Sequence, residues 1–242
     1  MRNMPRLPQM SNNSRAGLLE REREIIRMLN LFLNEELDFV VVGGYAISTY
    51  KKRFSIDLDL VVKEDDLKKF EKILEKEGYV LHYEKSIALL YGENFKRYTK
   101  KMSALPVDID LLINGLVSRT TNATWSLEYI KKHSAKRKLD NMGFLTPERE
   151  LLIAMKSHSG RLSDIRDIIA LMPCNKEKLK QHLLKGNIKN LKQSIEKQLS
   201  FLNKPQFDDS FKGIFGPQSY KEEDIQEAKE RINEILTEIK DA

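Results

Sequence analysis

The sequence predicts an α+β fold in which a small mixed sheet with flanking helices is followed by a helical C-terminal part. Three observations support this prediction. Short β-branched or alternating apolar segments lie in the first half of the chain. After Asn122 the apolar residues recur instead at helical spacing. The 242 residues are 40% hydrophobic, which is enough to fill an ordinary core.

The first half of the chain is predicted to alternate helices and strands. Residues 1–14 are polar, with two prolines and three asparagines, and are expected to form a flexible tail. An amphipathic helix follows at 15–34. The later elements, in chain order, are a strand and glycine turn at 39–44, a short helix from Ala46, strand 55–62, helix 64–78, two or three strands within 79–98, and strand 105–113.

The second half is predicted to be helical, so we divide the chain into a tail (1–14), a first domain (15–122) and a helical domain (123–242). Thr146 and Pro147 read as an N-cap followed by proline at the first helical position. The segment 204–218 contains two prolines and two glycines and is predicted to be a loop. The predicted helices are 125–132, 147–158, 162–172, 176–184, 188–203 and 220–240.

Composition and charge restrict the functional class. Lysine and arginine exceed aspartate and glutamate, 42 to 36, which gives a net charge of +6 and favours anionic partners such as nucleotides or RNA. Basic residues concentrate at 96–101 and 130–138. The single cysteine and the four histidines show no metal-ligand spacing, which argues against structural zinc. No segment is apolar enough for a membrane span or a signal peptide, so we expect no membrane partner and a cytoplasmic location.

Aspartates alternate with apolar residues on two predicted strands. Asp57 and Asp59 are two residues apart, so their side chains leave the same face of a strand, and Asp108 and Asp110 repeat the pattern. If the two strands are neighbours, like charges about 4 Å apart repel by about 4 kcal/mol at an effective dielectric near 20, and bound cations relieve this cost. Phosphoryl transfer from a nucleoside triphosphate (NTP) uses two divalent ions held by such carboxylates.

Each of these motifs alone has an ordinary structural explanation. An Asp-x-Asp pair on a strand is usually part of a solvated face, and two glycines after an apolar run usually form a turn. The ordered combination of apolar strand, glycine pair, short helix, Asp-x-Asp strand and a third acidic strand is much less common. The combination therefore favours a catalytic site.

The segment VVVGGYAISTYKKRFSIDLDLVV (40–62) resembles the signature of the DNA-polymerase-beta nucleotidyltransferase superfamily. The form Arg-x-Ser-x-Asp-x-Asp is similar to AbiEii-type and related minimal nucleotidyltransferases, several of which are toxins or antitoxins. The resemblance implies a polymerase-beta-like core in the first domain and two Mg²⁺ ions bound by Asp57, Asp59 and a third carboxylate. We prefer Asp110 to Asp108 as the third carboxylate, which would also activate the acceptor hydroxyl.

The same resemblance implies which residues bind the NTP. Gly43 and Gly44 would let the backbone approach the triphosphate, and Arg53 and Ser55 belong to the same nucleotide-binding motif. The segment ELLIAMKSHSGRLSDIRDIIAL (150–171) resembles a helix pair of AbiEii-type enzymes. Lys156 would then reach the triphosphate, while the polar residues that follow would either orient it or brace the helices. These residues are Arg161, Asp164 and Asp167.

The expected function is therefore Mg²⁺-dependent transfer of a nucleoside monophosphate from an NTP to an acceptor hydroxyl. The basic balance favours the 3′ end of an RNA such as tRNA as the acceptor. The resemblance to toxins and antitoxins adds a cognate toxin or antitoxin as an expected partner. The alternatives are transfer to a protein side chain or to a small molecule such as an aminoglycoside, or a catalytically silent module that binds nucleotide or RNA.

Overall fold

A seven-stranded mixed sheet organises the computed structural model, which describes residues 12–83 and 94–240. The strands are β1 (Phe39–Val42), β2 (Asp57–Val62), β3 (Val80–Tyr83), β4 (Phe95–Lys100), β5 (Val107–Ile113), β6 (Gly115–Val117), β7 (Thr124–Ser126), β8 (Ser134–Leu139) and β9 (Met142–Pro147). Their order in the sheet is β3-β4-β5-β2-β1-β9-β8, and β6 and β7 form a separate two-stranded sheet. Strand β2 is therefore central, with β1 antiparallel on one side and β5 parallel on the other.

Helices cover both faces of this sheet. They are α1 (Asn12–Asn34), α2 (Gly43–Ser48), α3 (Leu67–Lys76), α4 (Leu127–Lys132), α5 (Arg149–His158), α6 (Ile165–Ala170), α7 (Lys176–Leu183), α8 (Ile188–Leu202), α9 (Gln206–Phe215) and α10 (Glu222–Lys240). Helices α1 and α3 pack on one face, where Phe32 and Phe70 join the buried Leu58 and Leu60 of β2. The helices after residue 148 belong to the core on the other face, which contains Val61. No helix in the described ranges is both long and apolar enough to cross a membrane.

The predicted order of elements in the first half is confirmed. Helix, strand, short helix, Asp-x-Asp strand, helix and a later acidic strand all occur in that order. Helix α1 begins at Asn12, three residues before the predicted start, and helix α2 begins at Gly43 itself rather than after the glycines. The rest of the predicted tail, residues 1–11, and part of the predicted strand segment, residues 84–93, lie outside the described residues.

The prediction of helices alone after Asn122 holds for α4, which lies within the predicted helix 125–132, but it misses three strands between residues 124 and 147. Trp125 lies on β7, and strands β8 and β9 join the main sheet, where β9 runs parallel to β1. Thr146 and Pro147 end strand β9, so Pro147 is not the first residue of a helix, and α5 begins only at Arg149. The division into domains at residue 122 stays a prediction, and it must accommodate two strands of the main sheet that come from beyond that residue.

The prediction of a loop at 204–218 is also wrong. Helix α9 occupies Gln206–Phe215 and buries Phe207, Phe211 and Phe215, which are spaced four residues apart on one helical face. Of the two prolines and two glycines that suggested a loop, Pro205 precedes the first turn, and Gly216, with a φ of +83°, and Pro217 follow the last. Gly213 lies inside the helix.

Candidate functional site

Three carboxylates meet where β2 and β5 run side by side. The parallel register places Asp57 opposite Asp108 and Asp59 opposite Asp110. One oxygen from each of Asp57, Asp59 and Asp110 lies within 4.8 Å of the others. These three residues, called the carboxylate cluster below, were predicted from the sequence to converge. The in-register pairing of two strands with the same alternation explains how they do so.

Burial and mutual repulsion shape the ionisation of the carboxylate cluster. Asp110 is only 1% exposed, and this burial raises its pKa to about 6, although Arg97 donates hydrogen bonds of 2.7 and 2.6 Å to its two oxygens. Burial also raises the pKa of Asp59, and the negative charges of Asp57 and Asp110 raise it further. The cluster thus carries negative charge at an electrostatic cost.

The donor atoms of the carboxylate cluster suit a hard divalent cation. All three residues offer carboxylate oxygens, which are the ligands that Mg²⁺ prefers. A bound cation would also remove the repulsion that raises the pKa of Asp59. The residues present therefore fit the Mg²⁺ ions that the sequence predicts.

Asp108 and Asp110 have different surroundings although they share a strand face. Asp108 accepts a hydrogen bond of 2.6 Å from Thr99 Oγ1. Among the residues that the structure describes, the group of converging carboxylates around Asp57 and Asp59 includes Asp110 and not Asp108. The geometry therefore agrees with the preference for Asp110, while its chemical role stays a prediction.

The two glycines after β1 lie directly against the motif residues of β2. A Cβ on Gly43 would be 1.8 Å from Asp59 Oδ2, and Gly43 also has a positive φ of +63°. A Cβ on Gly44 would be 2.1 Å from Ser55 Oγ. Both positions thus exclude larger residues because the start of α2 packs closely on Asp59 and Ser55. Only Gly43 of the pair also needs glycine for its backbone conformation.

Ser55 and Arg53 connect the Asp-x-Asp strand to its neighbours. Ser55 Oγ donates a hydrogen bond of 3.3 Å to Asp57 Oδ1. Arg53 Nε donates to the carbonyl oxygen of Phe54 at 3.0 Å, and its guanidinium forms an ion pair with the buried Asp167 on α6. The loop between α2 and β2 is therefore tied to the helices of the second half.

Lys156 on α5 is the centre of a group of charges that is buried except for Arg161. Its Nζ lies 2.8 Å from Asp167 Oδ2 and 3.2 Å from Asp164 Oδ1. Burial would lower the pKa of Lys156, but the charges of the two aspartates outweigh burial and raise it. Arg161 Nε completes the group at 3.0 Å from Asp164 Oδ2. We call these residues, together with Arg53, the charge network.

The charge network favours one of the two roles left open by the sequence. Asp164 and Asp167 pair with lysine and arginine side chains of the loop before β2, of α5 and of the turn before α6. They therefore brace these elements against one another. The positive charges of Lys156 and Arg161 oppose part of the rise in the pKa of Asp59, so the network acts electrostatically on the carboxylate cluster.

Arg97 is a site residue that the sequence reasoning missed. It lies on β4 opposite Asp110 in the antiparallel pairing with β5. The sequence showed it only as part of the basic run 96–101. Its partner could be identified only with the β4–β5 register, which no local pattern specifies.

This chain is similar to a known protein family and to solved structures. The family model described as an uncharacterised nucleotidyltransferase matches residues 9–184. A crystal structure of ANT(2″)-Ia in complex with adenylyl-2″-tobramycin shows 15% identity and a TM-score of 0.48, covering 66% of this chain and 93% of that one. A solution structure of the antibiotic-resistance factor ANT(2″)-Ia shows 15% identity and a TM-score of 0.39, covering 73% and 86%. A search of curated protein sequences found no match.

Proposed function

The chain belongs to the family of uncharacterised nucleotidyltransferases, and on this basis we propose that it transfers a nucleoside monophosphate from an NTP to an acceptor hydroxyl. The observation that carries the proposal is the convergence of Asp57, Asp59 and Asp110 within 4.8 Å on two paired strands. When bound to these carboxylates, two Mg²⁺ ions would neutralise the triphosphate and polarise the reacting oxygens.

The carboxylates have distinct proposed roles in this reaction. Asp57 and Asp59 would hold both metal ions, and Asp110 would hold the catalytic ion and accept the proton of the acceptor hydroxyl. The acceptor oxygen then bonds to the α-phosphorus, the bond from that phosphorus to the bridging oxygen breaks, and pyrophosphate leaves. Arg97 supports this role because its two hydrogen bonds fix the orientation of the Asp110 carboxylate.

The triphosphate is proposed to lie along the start of α2. Gly43 and Gly44 present backbone there without side chains, directly beside Asp59 and Ser55. Arg53 and Lys156 would supply positive charge from the charge network. The effect of Lys156 on the pKa of Asp59 supports this proximity. Because both cations are already paired with aspartates, they would contribute as part of a fixed network rather than as mobile side chains.

We propose the 3′ end of an RNA, such as tRNA, as the acceptor. The net charge of +6 favours a polyanion. Lys136 and Lys138 are exposed on the edge strand β8, which lies three strand spacings, about 14 Å, from β2. An RNA bound at the carboxylate cluster could reach these lysines. A cognate toxin or antitoxin partner rests on the sequence resemblance alone, and its test is co-purification from the native cell.

One labelling experiment tests both the reaction and the acceptor. The protein is incubated with each α-³²P-labelled NTP, Mg²⁺ and either total tRNA or cell extract, and the products are separated by gel and thin-layer chromatography. We expect label on RNA, absent with EDTA and with Asp57→Asn/Asp59→Asn. Label on protein or on a small molecule would support the proposed transfer reaction but contradict the proposal that RNA is the acceptor. No label with any NTP or acceptor fraction would overturn the transfer.

A further inference from the structure

Two histidines and a glutamate form a second convergent group, which shares no residue with the carboxylate cluster. His133 follows α4, Glu148 precedes α5, and His182 lies on α7. One ligand atom from each residue lies within 4.8 Å of the others. His133 Nδ1 is 3.2 Å and His182 Nε2 is 2.9 Å from the same oxygen, Glu148 Oε1. Three separate elements thus direct their polar atoms to one point.

Two of the three separations between ligand atoms are close to those of a tetrahedral metal site. Zinc bonds to nitrogen and oxygen of about 2.0–2.1 Å place neighbouring ligand atoms about 3.3–3.4 Å apart. The observed separations of 2.9 and 3.2 Å differ from this by a few tenths of an ångström. Two imidazoles and one carboxylate are a ligand set for Zn²⁺ and related transition metals, whereas Mg²⁺ and Ca²⁺ prefer oxygen alone.

The outer partners of the three residues also match a metal site. Tyr129 Oη lies 2.8 Å from His182 Nδ1, so the ring nitrogen that does not face Glu148 Oε1 is held by a hydroxyl. Lys178 Nζ lies 3.2 Å from Glu148 Oε2, the second oxygen of the carboxylate. Such contacts orient metal ligands in many proteins. His182 is fully buried, while the His133 and Glu148 side chains are 22% and 24% exposed, which leaves a path from solvent.

We propose that His133, Glu148 and His182 form a binding site for a divalent transition-metal ion, with Zn²⁺ as the preferred ion. The site joins α4, the start of α5 and α7. Its ion would stabilise the contact between the β8–β9 hairpin and the helices of the second half. The competing explanation is a hydrogen-bonded cluster in which both imidazoles donate to Glu148 Oε1 and Tyr129 donates to His182 Nδ1.

Metal titration of the full chain separates these explanations. The test uses EDTA-treated Asp57→Asn/Asp59→Asn protein, so that the carboxylate cluster does not contribute, in excess Mg²⁺. Co²⁺ is added first and followed by its visible absorption, and Zn²⁺ is then added to displace it. We expect one Co²⁺ per chain, full displacement by Zn²⁺, and a higher melting temperature in Zn²⁺ than in Mg²⁺. Absence of Co²⁺ binding would overturn the proposal in favour of the hydrogen-bonded cluster.

Variants in the same background test the assignment of ligands. Glu148→Gln keeps the volume and a hydrogen-bonding oxygen but removes the charge, and should weaken Co²⁺ binding by about a hundredfold. Tyr129→Phe should weaken it by about tenfold, as expected for the partner of a ligand. His82→Ala, outside the cluster on β3, is the control and should bind as the parent does. Unchanged affinity in folded Glu148→Gln and His133→Ala proteins would overturn the assignment, and if His133→Ala does not fold, Glu148→Gln decides alone.

Discussion

The carboxylate cluster and the charge network are both groups of charged side chains that contain buried aspartates, but their charge balance differs. In the cluster, three carboxylates converge, and Arg97 pairs with one of them, Asp110. In the network, Asp164 and Asp167 are paired with Lys156, Arg53 and Arg161.

The pKa shifts in the two regions show the consequence of this difference. In the cluster, burial raises the pKa of Asp110 to about 6, against the effect of Arg97. In the network, burial would also raise the pKa of Asp164, but Lys156 and Arg161 outweigh it and lower the pKa. An acidic group that carries its charge at a cost is suited to receive a cation, and one that is already compensated is suited to hold elements together. Substitutions in the cluster should therefore affect the reaction, and substitutions in the network should affect stability.

The largest loss of transfer rate is expected from the double variant Asp57→Asn/Asp59→Asn. Loss of two metal ligands removes several kcal/mol of charge stabilisation, about three orders of magnitude or more in rate. The melting temperature should stay the same or rise, because the substitutions also relieve like-charge repulsion. Single-turnover transfer and thermal melting measure the two effects. Parent-level transfer in this variant would refute the proposed mechanism.

Asp110→Asn and Asp108→Asn compare two aspartates on one strand, of which only Asp110 belongs to the carboxylate cluster. Asp110→Asn should lower the rate of the transfer step by several orders of magnitude. The NTP affinity should change little, because Asp57 and Asp59 would still hold the nucleotide-bound metal. Asp108→Asn should have a much smaller effect, since that side chain bonds to Thr99 outside the cluster. NTP affinity and single-turnover transfer are measured for both. An inactive Asp108→Asn with an active Asp110→Asn would reverse the roles.

Lys156→Met tests the charge network. Lys156 is 8% exposed, and its removal leaves Asp167 with its ion pair to Arg53 and Asp164 with its ion pair to the exposed Arg161. Breaking a buried pair in this way should cost about 3 kcal/mol of unfolding free energy, since the remaining cations compensate part of the charge. Urea unfolding measures this loss. The control is Lys69→Met, which breaks the exposed ion pair with Asp66 and should change stability little. A Lys156→Met protein as stable as the parent would show that the network does not brace the helices.

Local patterns predicted the carboxylate cluster well because strand alternation and identical spacing determine where the side chains point. Asp57 and Asp59 had to share a face, and the matching pair on β5 needed only parallel, in-register pairing to complete the group. The same reasoning did not identify Arg97 or the ion pair between Arg53 and Asp167, which join residues distant in sequence. Such contacts depend on topology, which local periodicity does not determine.

The wrong secondary-structure predictions in the second half of the chain also arise because local sequence does not show how strands pair. Strand β8 is a polar edge strand, so its sequence lacks the apolar alternation that identifies a buried strand. Pro147 was assigned to a helix start because Thr-Pro commonly begins helices, yet here it ends β9. The histidines of the proposed metal site were not assigned because His133 and His182 come from distant parts of the chain.

The smallest effects are expected from substitutions of the two glycines beside the carboxylate cluster, and the two glycines should differ from each other. Gly43→Ala must both accept a φ of +63° and place a Cβ 1.8 Å from Asp59 Oδ2. Gly44→Ala keeps an ordinary backbone conformation and displaces mainly Ser55, whose Oγ would be 2.1 Å from the new Cβ. We therefore expect Gly43→Ala to lose about 1–3 kcal/mol of stability, as strained positions do, and Gly44→Ala to lose less.

Both substitutions should weaken NTP binding, because the added methyl group disturbs the backbone proposed to approach the triphosphate. Thermal melting and NTP titration measure the two properties separately. A Gly44→Ala protein that melts much earlier yet binds NTP normally would mean that Gly44 is needed for packing against Ser55 and not for the nucleotide.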